Sequence, residues 1–280
     1  TPTTTMSVSV GLLAEGAPLF PRDVITLAPT SSTGNCALMP PGKKGTLRII
    51  AADDSGHVLS AQIVKGIPEV AWSVTAGGGG GGGAAATSAT ATAAAAAAAG
   101  REGGAVVRAV AVGEKDASGK HVVHYASGAT IVTLDKAGKE VGKFATNSTE
   151  PVRLLAVRGG ALWTAGEFVV NLFEPGGRDV AYAMCPDRIL ALTAEPLTRD
   201  AGVDAVVGCA DRAIRVFAGA RLALSLGVDG PVTALAVSPP TATGAARGAA
   251  AHASQPKYLF YGTANGIVGV AAVRWVVGGG

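Results

Sequence analysis

Short apolar or alternating runs, separated by turn residues, recur roughly every ten residues along most of this chain. TLRIIAA (46–52) and HVLSAQIV (57–64), for example, flank DDSG, and ATIVTLD (129–135) and KEVGKFAT (139–146) flank KAG. Apolar positions in these runs repeat with a period of two, and the i, i+3, i+4, i+7 spacing of a helix is not convincing in any segment. The pattern therefore predicts an all-β fold built from hairpins.

The number of such runs restricts the architecture further. About twenty or more short strands are too many for one ordinary β-sandwich. A propeller blade takes about forty residues and four strands, so the chain has room for roughly six blades, or seven if some are compact. No GH…WD signature recurs at fixed spacing, so the repeats are degenerate. We predict a single WD40-like β-propeller domain over 1–280 and favour seven blades.

Two low-complexity segments interrupt the strand pattern. Residues 77–104 form a Gly/Ala-rich tract that begins GGGGGGGAAATSATATAAAAAAAG, and residues 238–256 read SPPTATGAARGAAAHASQP. Neither composition can bury a core or hold one backbone geometry. We expect the first to be disordered and the second to be flexible. Both are predicted to be surface inserts of the propeller, because the entropic cost of closing a loop grows slowly with its length.

Composition excludes several classes of function. Only 15% of the residues are charged and the formal net charge is +3, with Lys and Arg scattered, so nucleic-acid binding is not expected. The pattern predicts neither a transmembrane helix nor a signal peptide. The three cysteines, Cys36, Cys185 and Cys209, form no CxxC and are odd in number, which favours a reducing, cytosolic compartment over a disulfide framework.

Two segments imitate catalytic or metal sites. GEKDASGK (113–120) follows a strand as a phosphate-binding loop does, but its glycine spacing is one residue too long. A strand and not a helix is predicted after it, so no helix N-terminus faces a phosphate. His121 and His124 are spaced as a metal pair on a helix would be, but residues three apart on a strand point to opposite faces. We predict no catalytic residue, no cofactor and no metal.

The turn in VDAVVGCADRAIRVFAG (203–219) holds the charged residues that stand out most. An Asp-Arg pair at a hairpin corner can cap the turn or form a salt bridge with a neighbouring strand, and it can also bind a partner. Asp211, Arg212 and Arg215 are therefore the candidates for an interaction site. A purely structural role, as a turn cap or a salt bridge, is the alternative.

The same stretch resembles the end of the N-terminal propeller in the Bardet–Biedl syndrome protein 7 family. The family's Cys-x-Asp-Arg-x-x-Arg-Val run corresponds to Cys209–Val216, its Gly-Pro turn to Gly230-Pro231, and its Phe-Gly-Thr-x-Asp-Gly hairpin to 261–266. FATNSTEPV (144–152) is similar to the family's Phe-x-Thr-Asn-x-Thr-Glu segment, and RIIAADDSGHV (48–58) to its early hairpin. The four motifs occur in the family's order and span most of 46–275.

The chain departs from the family in three respects. Asn265 replaces the usual Asp of the last hairpin, the two Ala/Gly-rich inserts are extra, and the coiled-coil and C-terminal adaptor-like parts have no counterpart. We therefore expect the chain to correspond to the N-terminal piece of such a protein. AIRVF (213–217) is also similar to a hairpin of the related subunit 2 propeller, which is the sibling alternative.

The resemblance implies a non-enzymatic scaffold and interaction subunit of the BBSome, a coat-like complex that moves membrane proteins to and from cilia. Its implied partners are the other BBSome subunits, especially Bardet–Biedl syndrome proteins 2 and 9, and ciliary membrane-protein cargo. The implied locations are the cilium, the basal body and the cytoplasm, with peripheral association at the ciliary membrane through the complex. The alternative is a propeller adaptor of an intraflagellar-transport or vesicle-coat complex.

Overall fold

The fold of the chain is known from a computed structural model. The structure describes residues 36–40, 48–52, 56–64, 67–76, 106–115, 119–198, 202–238 and 257–273. Nineteen β-strands and no helix occur in these ranges, which confirms the all-β prediction. It follows that no helix with the length and hydropathy of a membrane span occurs among them.

Five sheets hold these strands, and the strands of each sheet are consecutive in the chain and hydrogen-bonded in chain order. The first sheet comprises β1 (Cys36–Met39), β2 (Arg48–Ala52), β3 (His57–Val64) and β4 (Ile67–Thr75). The second comprises β5 (Val107–Lys115), β6 (His121–Ser127), β7 (Thr130–Leu134) and β8 (Glu140–Ala145). The third comprises β9 (Leu154–Arg158), β10 (Ala161–Ala165), β11 (Val169–Phe173) and β12 (Asp179–Met184).

The last two sheets follow the same plan. The fourth comprises β13 (Ile189–Glu195), β14 (Asp204–Cys209), β15 (Ala213–Ala218) and β16 (Arg221–Gly227). The fifth has three described strands, β17 (Val232–Val237), β18 (Lys257–Thr263) and β19 (Val268–Val273). Neighbouring strands such as β14 and β15 pair in antiparallel register, with Val206 opposite Val216. Each sheet is thus a meander of hairpins, which is what the sequence pattern predicts.

Burial is uneven across the strands of a sheet. Every residue of β14 is buried, and so is every residue of β15 except the last. The fourth strands of the second, third and fourth sheets are mostly exposed, and Tyr182 on β12 remains 65% exposed. The apolar core is therefore concentrated on the inner strands, and the fourth strands carry little of it.

The described residues divide into two compact units, which separate between Ala181 and Tyr182 within β12. In the unit that precedes this point, the first and second sheets share a core that includes Ile50, Val58, Val123 and Leu134. In the other unit, the fourth and fifth sheets pack through Val206, Ile214 and Val216 on one side and Val232, Leu259 and Tyr261 on the other. Successive strand residues point to opposite faces, so Val132 and Leu134 of β7 join the first of these cores while Ile131 packs on the other face with Leu162 and Phe173 of the third sheet.

A single turn shows how the first two sheets interlock. Asp135 directly follows β7, and its Oδ1 accepts hydrogen bonds from the backbone N–H groups of Ala137 and Lys139 at 2.8 and 3.0 Å. Gly138 follows with a positive φ of 83°, a conformation that favours glycine. A Cβ at Gly138 would lie 2.9 Å from the Trp72 ring, and the Trp72 indole donates to the Lys136 carbonyl at 3.0 Å. The turn is therefore shaped to receive the tryptophan of β4.

Several predictions from the sequence concern residues outside the described ranges. They include the Gly/Ala-rich insert at 77–104, the insert at 238–256 beyond Ser238, and the DDSG turn up to Ser55. The extent of a single domain over 1–280 and the count of seven blades also stay predictions.

Candidate functional site

The turn between β14 and β15 carries the three residues that the sequence singles out. Asp211 and Arg212 are exposed, whereas the Arg215 side chain lies on β15 and that residue is only 9% exposed. The guanidinium of Arg215 donates two hydrogen bonds to the Asp211 carboxylate, Nη1 to Oδ1 at 2.9 Å and Nη2 to Oδ2 at 2.5 Å. The structure therefore pairs Asp211 with Arg215, on the neighbouring strand, and not with Arg212.

The ion pair changes the acid–base properties of both partners. The hydrogen bond from Arg215 lowers the pKa of the Asp211 carboxyl, and the same contact raises the pKa of the Arg215 guanidinium. Bidentate pairs of this kind are geometrically specific and fix the two side chains relative to each other. Asp211 and Arg215 thus hold the corner of the hairpin, and Arg212 is the member of the trio whose side chain points to solvent without a described contact to the other two.

Arg212 adopts a left-handed backbone conformation with a φ of 62°, and among the described residues it is the one non-glycine residue that does so. Replacing Arg212 with glycine is expected to stabilise the fold by about 0.5–1 kcal/mol, because glycine adopts this conformation without a steric penalty. Arg212→Val is expected to destabilise the fold, since a β-branched residue is strongly disfavoured at positive φ. Urea unfolding followed by circular dichroism measures both. A stabilising valine, or a strongly destabilising glycine, would contradict the assignment of strain to this position.

A second group of polar residues lies near this turn and was missed by sequence reasoning. Cys209 ends β14, Cys185 directly follows β12, and both thiols are buried. Each sulfur lies within hydrogen-bond reach of the other, and the Arg215 guanidinium reaches the sulfur of Cys209. The sequence carries no CxxC that could have revealed this pair, because Cys185 precedes β13 and Cys209 ends β14, the strand that pairs with β13.

Asp204, the first residue of β14, is a further polar residue that the sequence did not single out. Asp204 is 1% exposed, and its Oδ2 accepts hydrogen bonds from the backbone N–H groups of Leu197 and Thr198 at 2.7 and 2.5 Å. The Thr198 hydroxyl donates to the same carboxyl group at 2.9 Å. Asp204 therefore organises the connection between β13 and β14 from inside the fold.

The FATNSTE segment joins two sheets. The Thr146 hydroxyl donates to the Ala129 carbonyl at 2.9 Å, which fixes the end of β8 against the β6–β7 turn. Glu150 Oε2 accepts hydrogen bonds from the backbone N–H groups of Glu167 and Phe168 at 2.6 and 3.0 Å, in the turn between β10 and β11. The segment that carries much of the family resemblance thus has an architectural role between the second and third sheets.

The segments that imitate phosphate and metal sites have described residues on two strands of the second sheet, β5 and β6. Gly113 lies on β5, and the strand β6, beginning at His121, follows Lys120, as the sequence predicts. The His121 Nδ1 bonds to the Gly113 carbonyl at 2.9 Å, and the His124 Nδ1 bonds to the Thr133 hydroxyl at 3.0 Å. No group of three or more His, Cys, Asp or Glu side chains suited to a metal ion occurs in the part of the chain that the structure describes.

Burial of the His124 ring lowers its pKa from 6.5 to about 4. The unfolded chain therefore binds a proton at this ring at a higher pH than the folded chain does, so its contribution to stability is complete above pH 6.5 and is lost as the pH falls towards 4. Between neutral pH and about pH 5 we expect a loss of about 2 kcal/mol from this residue. Urea midpoints of the wild type and His124→Asn across this range test it. An equally steep loss in both proteins would contradict it.

Meanders of four antiparallel strands, repeated in chain order, define the WD40-like β-propeller class. Two solved structures share this fold. The crystal structure of BBS1N in complex with ARL6DN superposes with a TM-score of 0.59 at 12% identity, over 86% of this chain and 66% of that chain. The crystal structure of Saccharomyces cerevisiae Sqt1 gives a TM-score of 0.57 at 11% identity, over 86% of this chain and 58% of that chain. At these identities the likeness concerns the fold alone.

The chain belongs to the BBS7 beta-propeller family, whose profile matches residues 101–276, more than half of its length. The curated mouse protein "BBSome complex member BBS7" is 29% identical over 115 residues, which cover 41% of this chain and 16% of that protein. The chain thus matches only a small part of its relative's length. The predicted resemblance to the propeller of this family is confirmed, and the preference over the subunit 2 sibling agrees with the match.

Proposed function

We propose that the chain is the propeller of a BBSome subunit and acts as a non-enzymatic scaffold for other proteins. The observation that carries this proposal is the family match over 101–276, which includes the second to fifth sheets. The mouse relative is described as a member of the BBSome complex, which supports the same role for this chain. The work that follows from this membership is the transport of membrane proteins to and from cilia.

The proposed partners are other BBSome subunits, with Bardet–Biedl syndrome proteins 2 and 9 first among them, and ciliary membrane-protein cargo. The proposed locations are the cilium, the basal body and the cytoplasm, with the complex bringing the chain to the ciliary membrane. A scaffold needs a rigid contact surface. The ion pair between Asp211 and Arg215 makes this turn rigid next to the exposed Arg212. We place a partner contact at this turn, with Arg212 as the side chain that touches the partner.

Affinity recovery of the tagged 280-residue chain from ciliated cells tests the proposed function. Recovery of the other BBSome subunits, identified by mass spectrometry, is the expected result. Recovery of intraflagellar-transport or vesicle-coat proteins in their place would favour the alternative adaptor and overturn the proposal. A tagged, unrelated propeller expressed at the same level controls for proteins that bind any chain of this fold.

The proposed contact at the turn has its own test. Arg212→Glu reverses an exposed charge and leaves the Asp211–Arg215 pair in place, so we expect the fold to survive and partner recovery to fall at least about threefold. Lys136→Glu, at another exposed turn, is the matched control, because the same charge change occurs there away from the proposed contact. Equal recovery with both variants would remove the turn from the interface without affecting the assignment to the complex.

A further inference from the structure

The strand register brings two cysteines of the second unit together. Cys209 ends β14 opposite Ile189, the first residue of β13, and the Ala210 N–H donates to the Arg188 carbonyl at 2.8 Å. The chain that leads into β13 therefore runs beside the end of β14, and Cys185 lies on that segment. Both cysteines are buried and free, and their sulfur atoms lie within hydrogen-bond reach of each other.

Arg215 lies on the same face of the sheet as Cys209. Val207 is directly opposite Arg215 in the pairing of β14 with β15, and Cys209 is two residues beyond Val207, so the side chains share a face. The guanidinium is held in place by its two hydrogen bonds to Asp211 and also reaches the Cys209 sulfur. A fixed cation beside one of two adjacent thiols is the environment in which a cysteine becomes nucleophilic.

The charges assign different roles to the two sulfur atoms. The hydrogen bond from Cys185 and the contact with Arg215 lower the pKa of Cys209, against the effect of burial. The same hydrogen bond and burial raise the pKa of Cys185. Of the two thiols, Cys209 therefore ionises more readily and is the one suited to attack an oxidant, whereas Cys185 is suited to form the second bond.

We propose that Cys185 and Cys209 form a reversible dithiol–disulfide pair, with a hydroperoxide such as hydrogen peroxide as its oxidant. The Cys209 thiolate attacks one peroxide oxygen, the O–O bond breaks, and the products are a sulfenic acid and hydroxide, which becomes water by taking up the proton that the Cys209 thiol released when it ionised. The Cys185 sulfur then attacks the sulfenic sulfur and forms the S–S bond. The hydroxyl group leaves with the Cys185 proton as water. Two thiols and one peroxide thus give one disulfide and two waters.

A small oxidant is required because both sulfur atoms are buried. A bulky disulfide cannot reach them in the folded chain, whereas hydrogen peroxide is close to water in size. Reduction by cellular thiols follows the same exchange chemistry in the opposite direction and needs a local opening of the fold to begin. The pair is therefore expected to respond to peroxide within the reducing compartment that the cysteine usage predicts.

The test uses the folded 280-residue chain with Cys36→Ser, which removes the exposed third cysteine and the intermolecular disulfides it could form. The reduced protein is treated with hydrogen peroxide, alkylated and digested for mass spectrometry. A cross-linked peptide containing Cys185 and Cys209, lighter than the sum of its parts by two hydrogen atoms and lost after reduction, is the expected product. Separate alkylated peptides for both cysteines at every peroxide dose would overturn the proposal.

Arg215 provides the second measurement. Arg215→Lys keeps the positive charge and Arg215→Met removes it, so we expect disulfide formation to slow about tenfold or more in the methionine variant and less in the lysine variant. Circular dichroism establishes that each variant is folded before its rate is measured. If the methionine variant is unfolded, the comparison of the wild type with the lysine variant and the cross-link itself decide the question. Equal rates for wild type and a folded methionine variant would exclude the role given to Arg215.

Discussion

Replacing Trp163 with alanine is expected to lower the free energy of unfolding by about 3–5 kcal/mol, the largest effect of any single side chain described here. Trp163 lies on β10 between Ala156 on β9 and Leu172 on β11, and it is 0% exposed. Its removal takes away the transfer free energy of a large ring and leaves a cavity that the two flanking strands can close only in part. A loss of this size is a large fraction of the stability of an ordinary domain, which is about 5–15 kcal/mol.

Urea unfolding followed by far-ultraviolet circular dichroism measures this effect without relying on the fluorescence of the deleted ring. Trp163→Phe fills more of the site and is expected to cost less. Tyr182→Ala is the matched control, because it removes an aromatic ring that is 65% exposed on β12 and should change stability by no more than about 0.5 kcal/mol. Equal midpoints for the Trp163 and Tyr182 variants would show that β10 does not carry the core.

Replacing Asp204 with alanine is expected to destabilise the fold by about 3 kcal/mol, because hydrogen-bond donors inside the fold lose their acceptor. Three donors, the backbone N–H groups of Leu197 and Thr198 and the Thr198 hydroxyl, converge on this carboxyl group. Neither water nor another side chain can replace the carboxyl group easily at a residue that is 1% exposed.

Two variants separate the lost acceptor from the lost volume. Asp204→Asn keeps one acceptor oxygen and the size of the side chain, so it is expected to lose less stability than alanine. Asp179→Ala removes a carboxyl group from an exposed position on β12 and should be nearly neutral. Thermal unfolding of Asp204→Ala, Asp204→Asn and Asp179→Ala gives the order of their stabilities. An asparagine variant as unstable as the alanine variant would indicate that charge, and not the number of acceptors, is what the connection needs.

Most strands could be predicted from the sequence because their signals are local. A run that alternates with period two and ends at Asp or Gly specifies both a strand and its turn, as HVLSAQIV does at 57–64, where β3 has the predicted bounds. The four-residue strand β1 (Cys36–Met39) was not predicted, because CALM is too short to show a period. It is defined by its pairing with β2, which is a tertiary contact.

The candidate site was predicted in part. The charged corner after Cys209 was identified, and a salt bridge with a neighbouring strand was one interpretation of it, but which arginine pairs with Asp211 was not predicted. In the structure Asp211 faces Arg215, because the hairpin reverses the chain between them and brings positions four apart together. The burial of Asp204 could not be predicted, since the sequence around an aspartate at the start of an apolar run is the same whether the side chain faces solvent or a loop.

The two adjacent cysteines lie beyond sequence reasoning for a related reason. Cys185 and Cys209 are separated by the whole of β13, and their proximity depends on the register of that strand against β14. This register shifts between Ile189 and Ala191. A period-two pattern predicts which face a residue occupies, but a shift of this kind changes which residues meet across the sheet.

The exposed fourth strands have a consequence for how such a chain can diverge. At the exposed positions of β8, β12 and β16 a changed side chain alters little in the core, so substitutions there are expected to shift stability by only about 0.5 kcal/mol. New charges or apolar groups can therefore accumulate on these strands while the inner strands keep the fold. A chain built in this way can change the surface that it offers to other proteins gradually, one fourth strand at a time, and still fold as before.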